Sequence, residues 1–305
     1  MKRILFLCFV LVAVTCGAQT GEMTVASFNI RYNNPADANQ GNGWERRAPV
    51  VCDLIRFHNF EVFGAQEVLH DQLLDLLNGL PDYDYVGVGR DDGQTKGEYA
   101  PIFFLKEKFE VVESGHFWLS DITDRPNKGW DAALPRICTW ARLKNRESGF
   151  RFFFFNLHMD HVGVEARKNS AKLVLKKISE MCGDQPVILA GDFNVDQHSA
   201  NYAVLEESDL LNDAYEVAGV RYALNGTFNN FKPDMKTDSR IDHVFVSPFF
   251  TVERYGVLTD TYRTEIEGSE AQQSGNFPKE VSLTRYVART PSDHFPVKVI
   301  LSFEE

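Results

Sequence analysis

Residues 151–157 read Arg-Phe-Phe-Phe-Phe-Asn-Leu. A β-strand points successive side chains to opposite faces, so a run apolar at nearly every position must be covered on both. Pro186 to Ala190 has the same character, and between the two runs Val164 to Met181 carries an amphipathic helical pattern that stops at Gly183. That order demands a layered structure with a sheet inside it. Further strand patterns lie at Thr24 to Ile30, Phe60 to Ala65, Tyr83 to Val88, Ile102 to Leu105, Phe109 to Val112, Ile241 to Val246, Val252 to Leu258 and Pro296 to Leu301. Helical spacing occurs at Arg46 to His58, where Pro49 is tolerable only in a first turn, and at Gln72 to Leu80, closed by Gly79 and Pro81. Strands outnumber helices and helices recur after strands, which predicts an α/β (α+β) fold built on mixed sheets.

The chain before the first strand has another character. Lys2 and Arg3 lead an unbroken apolar run from Ile4 to Val14, followed by the small residues of Cys16-Gly17-Ala18. This is the pattern of an export signal, and it is short for a membrane span. The expectation is a signal peptide over 1–18, a single domain over 19–305, no transmembrane segment, and a secreted or periplasmic protein. An alternative is a lipid anchor to the cell envelope through Cys16, although Thr15 before it is a poor match. With Cys8 and Cys16 in the signal, Cys52, Cys138 and Cys182 remain. An odd number at wide spacing, without a C-x-x-C pair, builds neither a zinc ribbon nor a disulfide framework, so buried free thiols are expected.

Lys and Arg total 32 against 43 Asp and Glu, a formal net charge of −11. Long-range repulsion from phosphate backbones argues against a protein that coats duplex nucleic acid. A nuclease stays open, because a bound divalent cation reverses the sign inside a cleft.

Polar residues collect where strands end. Leu189-Ala190-Gly191-Asp192-Phe193-Asn194 ends an apolar strand, bends at glycine, and sets a carboxylate and an amide two residues apart. Ligands of α/β sheets gather outside the carboxyl ends of strands, and this pair can take a proton, hold a hard cation or orient a phosphoryl oxygen. On those dipeptides alone a turn is the commoner use. The placement repeats, however: Asn29 ends the first strand, Glu67 follows Gly64-Ala65-Gln66, and His158 follows the aromatic strand. Asp-His pairs stand at Asp242-His243 and at Asp293-His294 beside two later strands. Asp242 and His294 could form a dyad, since a carboxylate fixes a histidine tautomer and raises its pKa, leaving Asp293 for a metal. Phe28-Asn29-Ile30 before Gln66-Glu67, and Phe155-Asn156-Leu157 before Gly191-Asp192, both run strand, helix, strand, acid, which hints at two related halves.

Asn29, Gln66-Glu67, Asn156-Leu157-His158, Gly191-Asp192-Phe193-Asn194, Arg240-Ile241-Asp242 and Ser292-Asp293-His294 together resemble, in order, the motifs of the endonuclease/exonuclease/phosphatase family. The resemblance runs from about Thr24 to Leu301. It implies a four-layered α/β sandwich, two packed mixed β-sheets flanked by helices, and metal-dependent phosphoester hydrolysis without a covalent intermediate. It implies Glu67, with Asn29 beside it, and Asp293 as the Mg²⁺ site (Mn²⁺ as a substitute), Asp192 as the residue that activates water, and Asn194 as the amide that holds phosphate. It further implies that His294, supported by Asp242, and His158 face the phosphate oxygens. Abasic endonucleases of the family carry an acid two residues after the first Asn; Arg31 stands there in this chain and sets it apart from that branch.

The expected substrate is a phosphorylated small molecule or sugar, a lipid headgroup or a nucleic acid, cleaved by a phosphodiesterase, phosphatase or extracellular nuclease. A different class is a non-catalytic surface protein binding a glycan or phospholipid in the same cleft; it predicts decay of the acids, and Glu67, Asp192, Asp242 and Asp293 are all present. A third reading takes His158-Met159-Asp160-His161 as half of a dinuclear zinc signature with Asn156 in place of its first histidine, but the remaining zinc histidines have no home.

Overall fold

The computed structural model describes residues 20–270 and 276–304. The segment expected to be a signal, with Cys16, lies outside the described residues. In chain order the elements are β1 (Thr20–Asn29), α1 (Pro35–Asn39), α2 (Trp44–Phe57), β2 (Val62–Gln66), α3 (His70–Gly79), β3 (Tyr83–Val86), β4 (Ile102–Leu105), β5 (Phe109–Trp118) and β6 (Ile137–Asn145). The second half follows with β7 (Arg151–His158), α4 (Val164–Cys182), β8 (Val187–Asp192), α5 (Ala200–Glu206), β9 (Asn212–Asp213), α6 (Ala214–Val217), β10 (Val220–Tyr222), β11 (Asp242–Val246), β12 (Thr251–Val257), β13 (Tyr262–Glu265), β14 (Tyr286–Arg289) and β15 (Val297–Glu304).

Two large sheets carry the fold, in the orders β10-β12-β15-β1-β2-β4-β3 and β5-β6-β7-β8-β11-β9. Phe152 and Phe154 enter a core shared with Val25, Val62, Phe104, Val299 and Leu301 of the other sheet. Their neighbours Phe153, Phe155 and Leu157 enter a second core against Val174 and Ile178 of α4. The aromatic strand therefore has both faces covered because one feeds the space between the sheets and the other the helix layer. A third core places Phe28, Phe63 and Phe103 against Val51 and Ile55 of α2 and Leu73 and Leu76 of α3. The result is four layers, helix, sheet, sheet, helix, as expected. At about 1.5–3 kcal/mol for each fully buried large apolar side chain, the phenylalanines of β7 are a main part of what holds the layers together.

The two halves hinted at by sequence appear in the topology. β1 pairs parallel with β2, with Asn29 opposite Gln66, and β7 pairs parallel with β8, with His158 opposite Asp192. In each half a helical crossover joins the two strands, and antiparallel strands flank the pair.

Some local expectations change. Pro49 sits in the second turn of α2, because the helix begins earlier, at Trp44. Trp44 packs inward and donates its indole N–H to Asp75 Oδ2 at 2.8 Å, so tertiary contact sets the start and the helix forgoes the backbone bond Pro49 cannot make. β5 runs on to Trp118, and β6, not anticipated, pairs with both β5 and β7. Cys52, Cys138 and Cys182 are buried free thiols. Among the described residues no helix is long and apolar enough to cross a membrane.

Candidate active site

The carboxyl ends of both parallel pairs open at the same end of the sandwich. Asn29 and Glu67 come from β1 and the residue after β2; His158 and Asp192 close β7 and β8. The antiparallel strands bring the rest. Asp242 opens β11 directly across from Asp192, and Asp293 and His294 lie just before β15. The backbone is built to allow this convergence. A Cβ on Gly191 would lie 2.3 Å from the Leu157 carbonyl oxygen, so only glycine lets β8 run this close to β7 before Asp192. Arg31, Glu67 and Asn194 hold φ values of 60°, 60° and 51°, a left-handed backbone that non-glycine residues rarely adopt. Strain of this kind persists where surrounding contacts over-determine it, and it gathers at functional sites.

Asp192 Oδ2 is the hub. It accepts from Asn29 Nδ2 at 2.9 Å, and lies 3.6 Å from His158 Nε2 and 3.9 Å from His294 Nε2. Its other oxygen accepts from the Asn194 backbone N–H at 3.0 Å, while Asn194 Nδ2 donates to the Met159 carbonyl. Asn29 Nδ2 also donates to Glu67 Oε1 at 3.1 Å, and its own carbonyl accepts from the Arg31 N–H at 3.0 Å. In this arrangement Asn29 turns its nitrogen toward the carboxylates and bridges Glu67 and Asp192. Glu67 Oε2 accepts from the Tyr32 N–H at 3.2 Å.

His294 Nδ1 lies 2.9 Å from Asp242 Oδ2, the dyad expected from sequence. Thr227 Oγ1 fixes that carboxylate's strand by accepting from the N–H groups of Ile241 and Asp242. Ser292 Oγ ties the other side by donating to the Asn29 carbonyl at 2.7 Å.

Burial drives the protonation states apart. Burial, and next the Asp242 charge, push the Asp192 carboxyl up to about 7. Burial opposes charge on His294, yet Asp242, with Asp192 and Asp293 behind it, carries the imidazole well above its ordinary value. His158 goes the other way: burial, with Arg136 and Arg90 nearby, holds it well below. One histidine is thus a cation and the other neutral, with a carboxyl between them that can exchange a proton near neutral pH.

Two sets of ligand atoms fall within 4.8 Å of one another: Glu67, His158 and Asp192, and Asp192, Asp242 and His294. The second is closed by the His294–Asp242 hydrogen bond. Near the first, Asp293 is joined to Glu67 through the Arg31 guanidinium, whose Nη1 lies 3.9 Å from Glu67 Oε2 and 3.6 Å from Asp293 Oδ2. A positive group is already held between these two acids, and converging carboxylate oxygens are the donors a hard divalent cation prefers. The residues present fit such an ion.

The cleft above them has a volume of about 550 Å³. Several residues of the cleft and of the structure that supports it carried no sequence signal. Glu98, raised by burial, is gripped by Arg90 at 2.7 and 2.8 Å. Buried Arg47 donates to the carbonyls of Ile30, Arg31 and Pro291, tying the loop after β1 to the segment that bears Asp293. The zinc reading does not survive this geometry. Asp160 is occupied by the N–H groups of Leu134, Val162 and Gly163 and by Arg136, His161 bonds Arg136, and Asn156 is buried between the sheets.

Comparison with known proteins agrees with this layout. The family model for the Endonuclease/Exonuclease/phosphatase family matches residues 26–294. An endonuclease/exonuclease/phosphatase family protein from Bacteroides thetaiotaomicron is 52% identical, with a TM-score of 0.87 over 94% of this chain and 99% of that one. A mannosyl-6-phosphatase from Bacteroides thetaiotaomicron VPI-5482 is also 52% identical, with a TM-score of 0.84 over 92% of this chain and 99% of its own. An uncharacterized protein of Acanthamoeba polyphaga mimivirus is 28% identical over 277 residues, covering 84% of this chain and 91% of that protein.

Proposed function

The chain belongs to the endonuclease/exonuclease/phosphatase family, metal-dependent hydrolases of phosphoester bonds, and from that premise we propose that it is a Mg²⁺-dependent phosphomonoesterase that removes phosphate from phosphorylated sugars. The placement of Asp192 Oδ2 at 3.6 Å from His158 Nε2 and 3.9 Å from His294 Nε2, with Asn29 joining it to Glu67, carries the reading. The sugar class is supported by the mannosyl-6-phosphatase that shares 52% of its residues. The export-like residues 1–18 support a site of action outside the cytoplasm, in secreted or envelope-anchored form.

Glu67 and Asp293 would hold the cation, with Asn29 fixing Glu67 from the side. Mg²⁺ bound there supplies positive charge that offsets the phosphate and stabilises the negative charge growing on the leaving oxygen. Asp192, with a pKa near neutrality, takes a proton from the attacking water. As the water oxygen bonds to phosphorus, the bond from phosphorus to the sugar oxygen breaks; the sugar oxygen takes a proton from solvent and Asp192 returns its own to solvent, giving free sugar and inorganic phosphate. His294, kept charged by Asp242, donates from Nε2 to a nonbridging oxygen, as does the neutral His158, and these donors act where charge develops. Burial of Asp192, Asp242 and His294 keeps those interactions out of bulk water, where they would be weak.

The test is release of inorganic phosphate from mannose 6-phosphate and glucose 6-phosphate, beside cleavage of a bis-aryl phosphate and of single-stranded DNA, each with Mg²⁺ and with chelator. Metal-dependent release from the hexose phosphates, faster than cleavage of either diester, is the expected result. Faster cleavage of DNA or of the bis-aryl ester would overturn the reading.

A further inference from the structure

The cleft is also lined by Leu134, Arg136 and His161, none of which the reaction uses. Arg136 precedes β6 by one residue and is 3% exposed. Its Nε donates to Asp160 Oδ2 at 3.3 Å and its Nη2 to His161 Nδ1 at 2.9 Å. Its Nη1 is buried and has no hydrogen-bond partner among the described residues. A charged nitrogen left so keeps the full cost of its lost water, and because it has almost no surface of its own a ligand oxygen recovers that cost only when the guanidinium turns toward the cleft that Arg136 lines.

The same contact fixes His161. A guanidinium can only donate, so His161 Nδ1 is the acceptor and the ring proton sits on Nε2. The His161 side chain is exposed, which leaves that N–H free to meet a ligand. Asp160 cannot balance these donors with a free acceptor: Oδ1 takes the N–H groups of Val162 and Gly163, and Oδ2 takes Leu134 and Arg136. Arg136 and His161 therefore present donors to the cleft. The Nε edge of the guanidinium, the side best shaped to grip an anion with two parallel bonds, is already occupied. Single N–H contacts to separate oxygens are what remain.

Tyr32 and Phe228 line the same cleft; Phe228 is 40% exposed and packs edge-on to His294 at 5.1 Å. A pyranose has an apolar C–H face and an edge of hydroxyl oxygens, and the cleft holds aromatic residues for the first and N–H donors for the second. We propose that Arg136 and His161 form a subsite that reads hydroxyl oxygens of the sugar leaving group. The proposal rests on the sugar-phosphatase reading above.

The experiment compares kcat/KM for mannose 6-phosphate and for p-nitrophenyl phosphate, which has no hydroxyl edge, in the full chain with Mg²⁺. Loss of one such hydrogen bond is worth about tenfold. His161→Ala and Arg136→Lys are each expected to lose about tenfold or more on the hexose phosphate, chiefly in KM, and less than about threefold on the aryl phosphate. Free mannose, as a competitor of aryl phosphate hydrolysis, is expected to inhibit both variants less well than the parent. His161 lies on the surface, so its variant keeps the test open if Arg136→Lys does not fold. Equal losses on the two substrates, or none on either, would overturn the subsite. A parent enzyme that favours the aryl ester over every hexose phosphate would instead overturn the sugar reading, and the subsite with it.

Discussion

Asp242 lies directly opposite Asp192 in the β8–β11 ladder, and its carboxylate acts on both partners of the proton exchange. It hydrogen-bonds His294 and holds that imidazole charged, and after burial it is the strongest influence raising Asp192. Two antiparallel strands in fixed register thereby set an acid and a base at once.

The first prediction follows in sign. Activity requires Asp192 without its proton and His294 with its own, so the rate rises as Asp192 ionises and falls as His294 discharges. Asp242→Asn removes a negative charge that raises both groups. Asp192 then ionises at lower pH, and His294 loses its proton at lower pH. Both limbs of the kcat/KM profile should move to the acid side, with a loss of about a hundredfold at the optimum. A profile whose alkaline limb stays in place would mean that Asp242 does not hold His294 charged.

The sequence made the main cluster legible because strand register does the placing. Asn29, His158 and Asp192 sit at strand ends, and parallel pairing alone brings such ends together. The alternation of β7 between two cores is likewise written in its four phenylalanines. Glu98 and Arg90 were not legible, since they arrive on a loop held by isolated bridges of Tyr99 to Val68 and Gly89, contacts with no periodic pattern. β6 alternates between buried and half-buried positions from Thr139 to Lys144, a period-two signal that could have revealed it. The direction of the Asn29 amide is set by the Arg31 backbone N–H on its oxygen and by Asp192 and Glu67 on its nitrogen, contacts that no local pattern announces.

That amide carries the second prediction. Asn29→Ala frees Glu67 and Asp192 from their shared donor without touching either carboxylate. The Mg²⁺ concentration for half-maximal activity should rise about tenfold or more, since groups that orient metal-binding residues typically account for 10- to 100-fold in affinity. Binding of Mn²⁺ followed by electron paramagnetic resonance gives the same comparison without turnover. Unchanged Mn²⁺ affinity would show that Glu67 needs no bridge.

Arg31 gives a third prediction with two opposed effects. Its guanidinium, anchored on Asp37 at 2.8 Å, faces Glu67 and Asp293. In Arg31→Ala those acids lose their resident counter-charge, so the metal-free protein should melt lower and gain more from added Mg²⁺ than the parent does. A bound ligand stabilises by its affinity for the folded state, and that affinity rises when a competing cation is removed. The phosphomonoester rate should nevertheless fall about tenfold, because the doubly charged phosphate also loses a cation beside it. If Mg²⁺ raises both melting temperatures equally, Arg31 does not share the metal's carboxylates.

Asn156 supplies the last. It stands where the zinc signature would want a histidine, yet it is fully buried between the sheets. Its Nδ2 donates to the carbonyls of Ala65 at 2.7 Å and Pro101 at 2.8 Å, and its Oδ1 accepts from Gln66 Nε2 at 2.7 Å. The room for it comes from Gly64, where a Cβ would lie 2.4 Å from the Asn156 side chain. One amide thus joins β7 of one sheet to β2 of the other, immediately below Glu67. Asn156→Ala would leave the Ala65 carbonyl without a partner and take one bond each from the Pro101 carbonyl, which keeps the Ala65 N–H, and the Gln66 amide, which keeps Ser27 and Gly64; at about 1–3 kcal/mol for a group that water cannot reach, plus the lost packing, a loss of roughly 2–4 kcal/mol is expected in urea unfolding. Asn156→Asp should be worse, because it sets a carboxylate against two carbonyl oxygens. At a temperature where the folded fraction is still high, Asn156→Ala should keep kcat within about threefold of the parent, since no donor to the phosphate has been removed. A large loss of kcat with unfolding energy intact would reverse the assignment and make Asn156 part of the chemistry.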